Sequence, residues 1–501
     1  MKKVNLLLAA VVAASMNMPA QAGDVFFNGY LRSGVSAKNI TTDDGNVAKL
    51  GRAGYENNTY GEISLGSNVA KVDDTVWTIN TTMSFKAYYN RDYQPLENSY
   101  NSSDATYSES EKDNDGNPKA VYSDKNYAET FQYAFRQGYL NVKGLFDWDK
   151  DANVWIGKRY YRRDSYLTGI EYFNISGFGA GIQDLQAGDG KLSLAWFRRD
   201  DSDDNYKFDN YSQDQLYKIK RGMASLHIFD VQYNMPLWSD ASFLIDATYL
   251  VPQRDAYTNH YNGIRPKDDY GRGSILGLEL TQGMLGGFNK TVLTFAHGSN
   301  ARWGNFGFDS WIDQSGASDS ATRWSLRNFG DIKLTDRIGL AHHIYGYYVS
   351  GFDKNDMPNT DYFNGHYVDS MKGFNVIVHP YFKLTKMTKI YADVGVYAES
   401  ENWTENYGTA KAFDNGQTSQ GQRYTIGYAI SPDSMNFWSR PEIRIYATYL
   451  HGNDNSMNFQ GEKYSDVFVG EGKNKGKVVY TNCSGKKTSA FNAGVMFEAW
   501  W

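Results

Sequence analysis

Eight histidines, one cysteine and 57 acidic residues are the groups in this chain that could do covalent or metal chemistry. Their spacing selects none of it. His227, His260, His297, His342, His343, His366, His379 and His451 are scattered, with no His-Glu-x-x-His and no Gly-x-Ser-x-Gly. His342 and His343 are adjacent on an expected strand, so their side chains point to opposite faces and suit one metal poorly. Cys483 is alone, which removes a disulfide framework and a cysteine zinc site. The run Asp113-Asn114-Asp115-Gly116-Asn117 places its glycine three residues after the first aspartate, where a calcium hand needs five, and reads as a solvated loop. No carboxylate pair stands out for glycosidase chemistry. The expectation is therefore no catalytic residue, no metal and no cofactor. A different chemistry is carried by aromatic residues set among charges. Tyr30 lies two residues from Arg32, and Tyr60 two from Glu62. Trp438 shares parity with Arg440, Glu442 and Arg444, and Trp500 with Glu498. Such rings suit non-covalent recognition: the ring covers apolar C–H surface while the charged groups bond a polar fringe.

The elements that carry these residues alternate with period two. From Phe491 to Trp501 the odd positions (Phe491, Ala493, Val495, Phe497, Ala499, Trp501) are all apolar, and the even positions mostly polar or small. That is the length and pattern of a membrane-spanning β-strand. Phe27, Gly29 and Leu31 alternate with Asn28, Tyr30 and Arg32; Thr59, Gly61, Ile63 and Leu65 alternate with Tyr60, Glu62 and Ser64. Ile443, Ile445, Ala447 and Tyr449 alternate with Glu442, Arg444, Tyr446 and Thr448. In lipid every backbone polar group must be paired, so such a sheet must close on itself. Alternation puts Tyr30, Tyr60 and Trp500 on the polar, water-side face, and the parity of Trp438 with its charged neighbours puts it there too. The membrane-interface girdle is the competing explanation for such rings. Phe288 falls at a strand start, where parity is ambiguous.

Composition agrees. The chain has 501 residues, with 39 Tyr, 27 Phe, 12 Trp and 48 Gly but 10 Pro. No apolar run outside the first 20 residues is long enough for a transmembrane helix. The net charge of −6, without a long basic run, argues against nucleic acid. Met1-Lys2-Lys3, the apolar stretch from Val4 to Ala14 and the site Ala20-Gln21-Ala22 form a secretory signal over 1–22, followed by one barrel domain over 23–501. Stretches rich in Gly, Asn, Asp and Ser at 98–126, 200–210 and 452–476 read as loops. At roughly 25–30 residues per strand and connection, the chain gives about 16 to 19 strands around an aqueous lumen.

Several stretches, in order along the chain, resemble the maltoporin/sucrose-porin family of outer-membrane sugar channels. They are Asn28-Gly29-Tyr30-Leu31-Arg32-Ser33-Gly34, Thr59-Tyr60-Gly61-Glu62, Trp155-Ile156-Gly157-Lys158-Arg159-Tyr160-Tyr161 and Ile175-Ser176-Gly177-Phe178-Gly179-Ala180-Gly181. Gly287-Phe288-Asn289-Lys290, Trp438-Ser439-Arg440-Pro441 and the closing Trp500-Trp501 follow. The resemblance implies an all-β fold, an 18-stranded antiparallel transmembrane β-barrel with an inward-folded constriction loop, assembled as a homotrimer in outer-membrane lipid. It further implies an oligosaccharide substrate that moves along a slide of lumen-facing aromatics. Carried over position by position, the slide is Tyr30, Tyr60, Phe288, Trp438 and Trp500, with Tyr93 as the ring reaching over from a neighbouring subunit. Arg32, Arg52, Glu62, Arg136 and Arg163 match the polar track, and Asp164 matches a constriction carboxylate if one residue is deleted before it. Here the chain departs from the family pattern: a second constriction carboxylate falls on Gly169, and the constriction tyrosine on Glu171, with Tyr172 beside it. The narrowest point is altered, which opens the sugar range beyond maltodextrins. The resemblance thus points to facilitated diffusion of maltose and maltodextrins or related oligosaccharides. A general diffusion porin, a sucrose channel and a loop-borne adhesin or receptor are the competing readings.

Overall fold

The structure is a computed structural model that describes residues 25–37, 49–52, 58–87, 106–112, 118–121, 131–162, 166–168, 173–200, 224–254, 272–302, 320–351, 367–404, 417–453, 464–469, 478–482 and 488–501. The alternating segments pair as strands. β1 (Val25–Ser36), β2 (Thr59–Val72) and β3 (Thr75–Ala87) are followed by a small hairpin, β4 (Thr106–Lys112) and β5 (Pro118–Val121). Then come β6 (Phe131–Lys143), β7 (Asn153–Arg159), β8 (Gly177–Ala187), β9 (Gly190–Asp200), β10 (Ala224–Trp238), β11 (Ala241–Arg254), β12 (Gly273–Met284) and β13 (Gly287–Gly298). After a one-turn helix at Ser299–Arg302 follow β14 (Thr322–Lys333), β15 (Ile338–Ser350), β16 (Tyr367–Lys383), β17 (Thr388–Thr404), β18 (Gln417–Ile430) and β19 (Glu442–Gly452). A second hairpin, β20 (Tyr464–Val469) and β21 (Val478–Asn482), precedes the last strand, β22 (Ser489–Trp500).

Eighteen of these strands form one antiparallel sheet that closes, because β1 pairs with both β2 and β22. Along the seam Tyr30 stands opposite Trp500, Arg32 opposite Glu498 and Gly34 opposite Met496. Closure leaves no strand edge in lipid, as the alternation required. At one end the strands are joined by tight turns, such as 73–74, 188–189, 239–240 and 285–286; at the other the connections are long. In this architecture the short turns face the periplasm and the long loops the cell exterior.

The two faces of the wall have inverted chemistry relative to a soluble protein. On β14, Arg323, Arg327 and Asp331 are buried inside while Trp324 and Leu326 are exposed outside. On β19, Glu442 and Thr448 point in and are buried, and Ile443, Ile445 and Tyr449 point out and are exposed. Charged groups are buried to this degree only when paired, and the interior is laced with pairs: Arg423 with Asp393, Lys49 with Glu399, and Lys389 with Glu442 at 2.7 Å.

Two expectations are corrected. The polar stretches 98–126 and 452–476 are not loops throughout, since they hold β4 and β5 and the strand β20, which pairs with β21 just beyond. Thr, Tyr, Val and Phe in these stretches favour pleated pairing even outside the wall. Trp438 does not owe its position to strand parity, because β19 starts only at Glu442 and residues 431–441 form a connection.

Candidate functional site

Besides the connection 431–441, where Met435 is buried and Phe437 and Trp438 pack on Tyr166, two described segments cover the inner wall. One lies between β7 and β8. Its start is tied to its end by the Tyr161 amide donating to Ser176 Oγ at 3.0 Å and the Ile175 amide donating to Tyr161 O at 3.3 Å. Arg162 then pairs with Glu279 and, at 3.1 Å, with Asp246 on the inner wall, and its guanidinium lies 4.7 Å from the ring centre of Phe173. Phe173 in turn fills the space left by Gly277, where an added Cβ would lie 2.2 Å from its ring. Farther along, the Tyr166 hydroxyl donates to Gly330 O at 2.9 Å, and Tyr166 O lies 2.7 Å from His343 Nδ1. Burial, with the carboxylate of Asp331 adding to it, raises the Tyr166 phenol above its ordinary pKa, so it stays a donor.

The second inward segment, 49–52, belongs to the connection between β1 and β2. Leu50 is fully buried in a cluster with Tyr345, Tyr347, Tyr397 and Leu450. Asn375 Nδ2 donates to Lys49 O at 2.9 Å, Lys49 pairs with Glu399, and Arg423 donates to Gly51 O. Gly51 has φ +98°, and a Cβ there would lie 2.9 Å from Leu167 O. The close approach is used: the Arg52 amide donates to Leu167 O at 3.0 Å, which joins the two inward segments. The β7–β8 segment covers wall from β7 round to β15, and residues 49–52 cover wall from β15 to β19. The arc β22–β1–β2–β3–β6 meets the two segments through single side chains, Tyr160 on Glu62 and Arg136, and Arg52 on Tyr30 and Glu498.

That arc holds the candidate residues. Tyr30, Tyr60 and Trp500 point inward from β1, β2 and β22. The rings of Tyr30 and Tyr60 are 6.0 Å apart, Tyr30 sits directly across the seam from Trp500, and Trp500 is 6.4 Å from Trp438. The row continues from Trp438 to Tyr166 at 5.5 Å and from Tyr166 to Phe288 at 6.0 Å. Phe288 shares inward parity with Lys290 and the buried Val292, which resolves the strand-start ambiguity. Trp438 and Trp500 are 43% and 37% exposed, whereas Tyr166 is 3% exposed. The tryptophans can therefore cover a ligand; Tyr166 can only support its neighbours.

Charged groups flank the row in two clusters. In the first, Glu498 accepts from Tyr30 Oη at 2.8 Å, from Arg440 Nη2 at 2.7 Å and from Arg444 Nη2 at 2.9 Å, with Arg52 Nη2 at 3.5 Å. Arg440 also lies over the Trp500 ring at 4.3 Å; desolvation holds its pKa below the ordinary arginine value. In the second, Glu62 Oε1 accepts from the hydroxyls of Tyr60 and, at 3.0 Å, Tyr160. Arg136 Nε donates to Tyr160 Oη at 2.6 Å. Arg32 donates to Asn58 Oδ1 at 3.2 Å and lies over the Tyr60 ring at 5.4 Å.

The structure thus brings together Tyr30, Tyr60, Trp438, Trp500, Arg32, Arg52, Glu62 and Arg136, with Phe288 joined through Tyr166. Tyr93, Arg163, Asp164, Glu171 and Tyr172 lie outside the described residues. Sequence reasoning named Glu498 and Arg440 only as charged neighbours of the rings, and it missed Tyr160 and Tyr166 as members of the site. Glu498 had a signal, its shared parity with Trp500; Tyr166 had none, because a loop has no period.

The family model described as LamB porin matches residues 25–501. The chain is 27% identical to maltoporin 1 of Klebsiella pneumoniae over 510 residues, covering 100% of this chain and 99% of that protein. It is 27% identical to maltoporin 2 of Yersinia pestis over 505 residues, covering 99% and 98%. Among solved structures it is similar to an anion-selective porin from Comamonas acidovorans, with 10% identity, a TM-score of 0.40, and 95% of this chain and 99% of that chain covered.

Proposed function

The chain belongs to the LamB porin family, an outer-membrane β-barrel channel, and from that premise we propose that it carries maltose and maltodextrins by facilitated diffusion. The observation that supports this most is the row Tyr60, Tyr30, Trp500 and Trp438, flanked by the Glu62 and Glu498 clusters. A sugar ring has an apolar C–H face that an aromatic covers and a hydroxyl fringe that arginines and carboxylates bond. Successive similar sites let a chain of sugars pass from one to the next without full release. Each must be strong enough to attract and weak enough to let go. An affinity in the millimolar range, about −4 kcal/mol, meets both demands. Arg32, Arg52, Glu62 and Arg136 bond hydroxyls along the way, and Arg163 and Asp164 act at the constriction. The protein works as a homotrimer after removal of residues 1–22, with Tyr93 of one subunit contacting sugar at the mouth of the next. Both relatives carry the name maltoporin, which favours maltodextrin as the cargo. Sucrose is the second reading, favoured by Gly169 and Glu171 standing where the family pattern has a carboxylate and a tyrosine.

The test is ion current through the purified protein in a planar bilayer, titrated with maltotriose and then with sucrose. Saturable block by maltotriose that weakens in Trp438→Ala or Trp500→Ala is the expected result. Block by sucrose alone moves the cargo to sucrose, and steady current with both sugars overturns the binding site and leaves a general porin.

A further inference from the structure

The outer face of the barrel carries a row of side chains that the lumen chemistry does not use. Lys158 on β7 stands opposite Phe178 on β8, Phe178 opposite Arg198 on β9, and Arg198 opposite His227 on β10. Four neighbouring strands therefore present a cation, a ring, a cation and an imidazole side by side along a line perpendicular to the strands, which at ~40° tilt spans about 9 Å of height. All four share outward parity with exposed apolar residues of their own or adjoining strands: Ile156, Leu194, Trp196, Phe229 and Val231. Phe178 is exposed, and the Lys158 ammonium lies 5.6 Å from its ring centre. Among the described residues Lys158 Nζ gives a hydrogen bond to Phe135 O at 2.7 Å, and an ammonium has three donors. Trp196 stacks on His227, and its indole N–H donates to Nδ1 at 3.0 Å. An indole can only donate, so His227 Nδ1 is the acceptor in this contact.

The height of the row identifies what it meets. Arg198 is nine residues above the tight turn at 188–189, which at ~3.3 Å per residue and ~40° tilt is about 23 Å along the barrel axis. The apolar band of such barrels is about 25 Å tall. Arg198 therefore sits at the boundary of that band on the long-loop side, where outer-leaflet headgroups lie, and the oblique row crosses that boundary. Cations with exposed rings beneath them fit an acylated ligand whose head is anionic. The guanidinium of Arg198 offers a fork suited to phosphate oxygens and Lys158 a point charge, while Phe178 and Trp196 flank the chains.

We propose that Lys158, Arg198 and His227, with Phe178 and Trp196, form a binding site on the outer wall for the phosphorylated head of an outer-leaflet glycolipid. The test uses the whole mature protein in detergent, titrated with bis-phosphorylated lipid A and followed by native mass spectrometry. Lys158→Glu/Arg198→Glu is expected to weaken retention of lipid A by about tenfold or more, the scale of one lost charge-assisted hydrogen bond. Sugar block of the current stays unchanged, since neither residue faces the lumen. If the double charge reversal misfolds, Lys158→Gln/Arg198→Gln serves instead, with heat-modifiable gel migration as the check on folding. Equal retention by wild type and a folded variant overturns the site. Equal retention of lipid A stripped of its phosphates shows that phosphate is not read, and also overturns it. Displacement by inorganic phosphate at concentrations comparable to the lipid would make this a free-phosphate site and overturn the lipid assignment.

Discussion

The Tyr30 hydroxyl donates a 2.8 Å hydrogen bond to Glu498, across 468 residues of sequence. The bond crosses the seam between the first and last strands, so one contact links barrel closure to the aromatic row. Glu498 also neutralises Arg440 and Arg444, both with side chains largely shut off from solvent.

Glu498→Gln therefore removes a buried anion from between buried cations. Breaking such a pair from one side costs about 3–5 kcal/mol. The expected outcome is a lower midpoint for urea unfolding in lipid vesicles, together with weaker sugar block, since Arg440 loses the partner that holds it over Trp500.

Trp438 and Trp500 are exposed to the passage and Tyr166 is not. Each tryptophan changed to Ala is expected to raise the half-blocking concentration of maltotriose by roughly tenfold, about 1.4 kcal/mol, with little change in stability. Tyr166→Phe removes the bond to Gly330 and should leave sugar affinity within about twofold while lowering stability by about 1 kcal/mol. Current noise analysis and urea unfolding separate the two outcomes.

Arg162 pins the β7–β8 segment to Asp246 and Glu279. Arg162→Met leaves those carboxylates, with Asp230 close to Asp246, facing one another without it. The segment should leave the wall. Single-channel recording is expected to show a larger and noisier conductance; an unchanged conductance would mean that the remaining ties at Tyr166 and Tyr161 suffice.

Gly51→Ala places a methyl group against Leu167 O at a backbone conformation unfavourable for alanine. The strain is about 1–3 kcal/mol, and the bond from the Arg52 amide to Leu167 O should break. Conductance is expected to rise here too. Combined with Arg162→Met, the effect should fall short of additive, because both changes free the same pair of joined segments.

The strand pattern was legible because it is local. In β19 and β22 the alternation of apolar and polar residues is set by the pleat, and the structure keeps the parity read for Tyr30, Tyr60, Glu62 and Trp500. Trp438 reaches the same lumen by another route, through the connection 431–441, which no strand parity governs. Chain length at roughly 25–30 residues per strand and connection leaves about 16 to 19 strands open, and the count of 18 rests on the resemblance.

What the amino-acid sequence determined by itself was the two-faced wall: which residues meet lipid, which meet water, and that the sheet must close because lipid offers no partner for a free edge. What only the tertiary structure decided was which distant residues meet inside. Arg52 reaches Leu167, Lys49 reaches Glu399 and Glu498 gathers Tyr30, Arg440 and Arg444. These contacts join residues on different strands and connections, brought face to face by curvature. A repeat of two along one strand carries no information about what stands across the lumen.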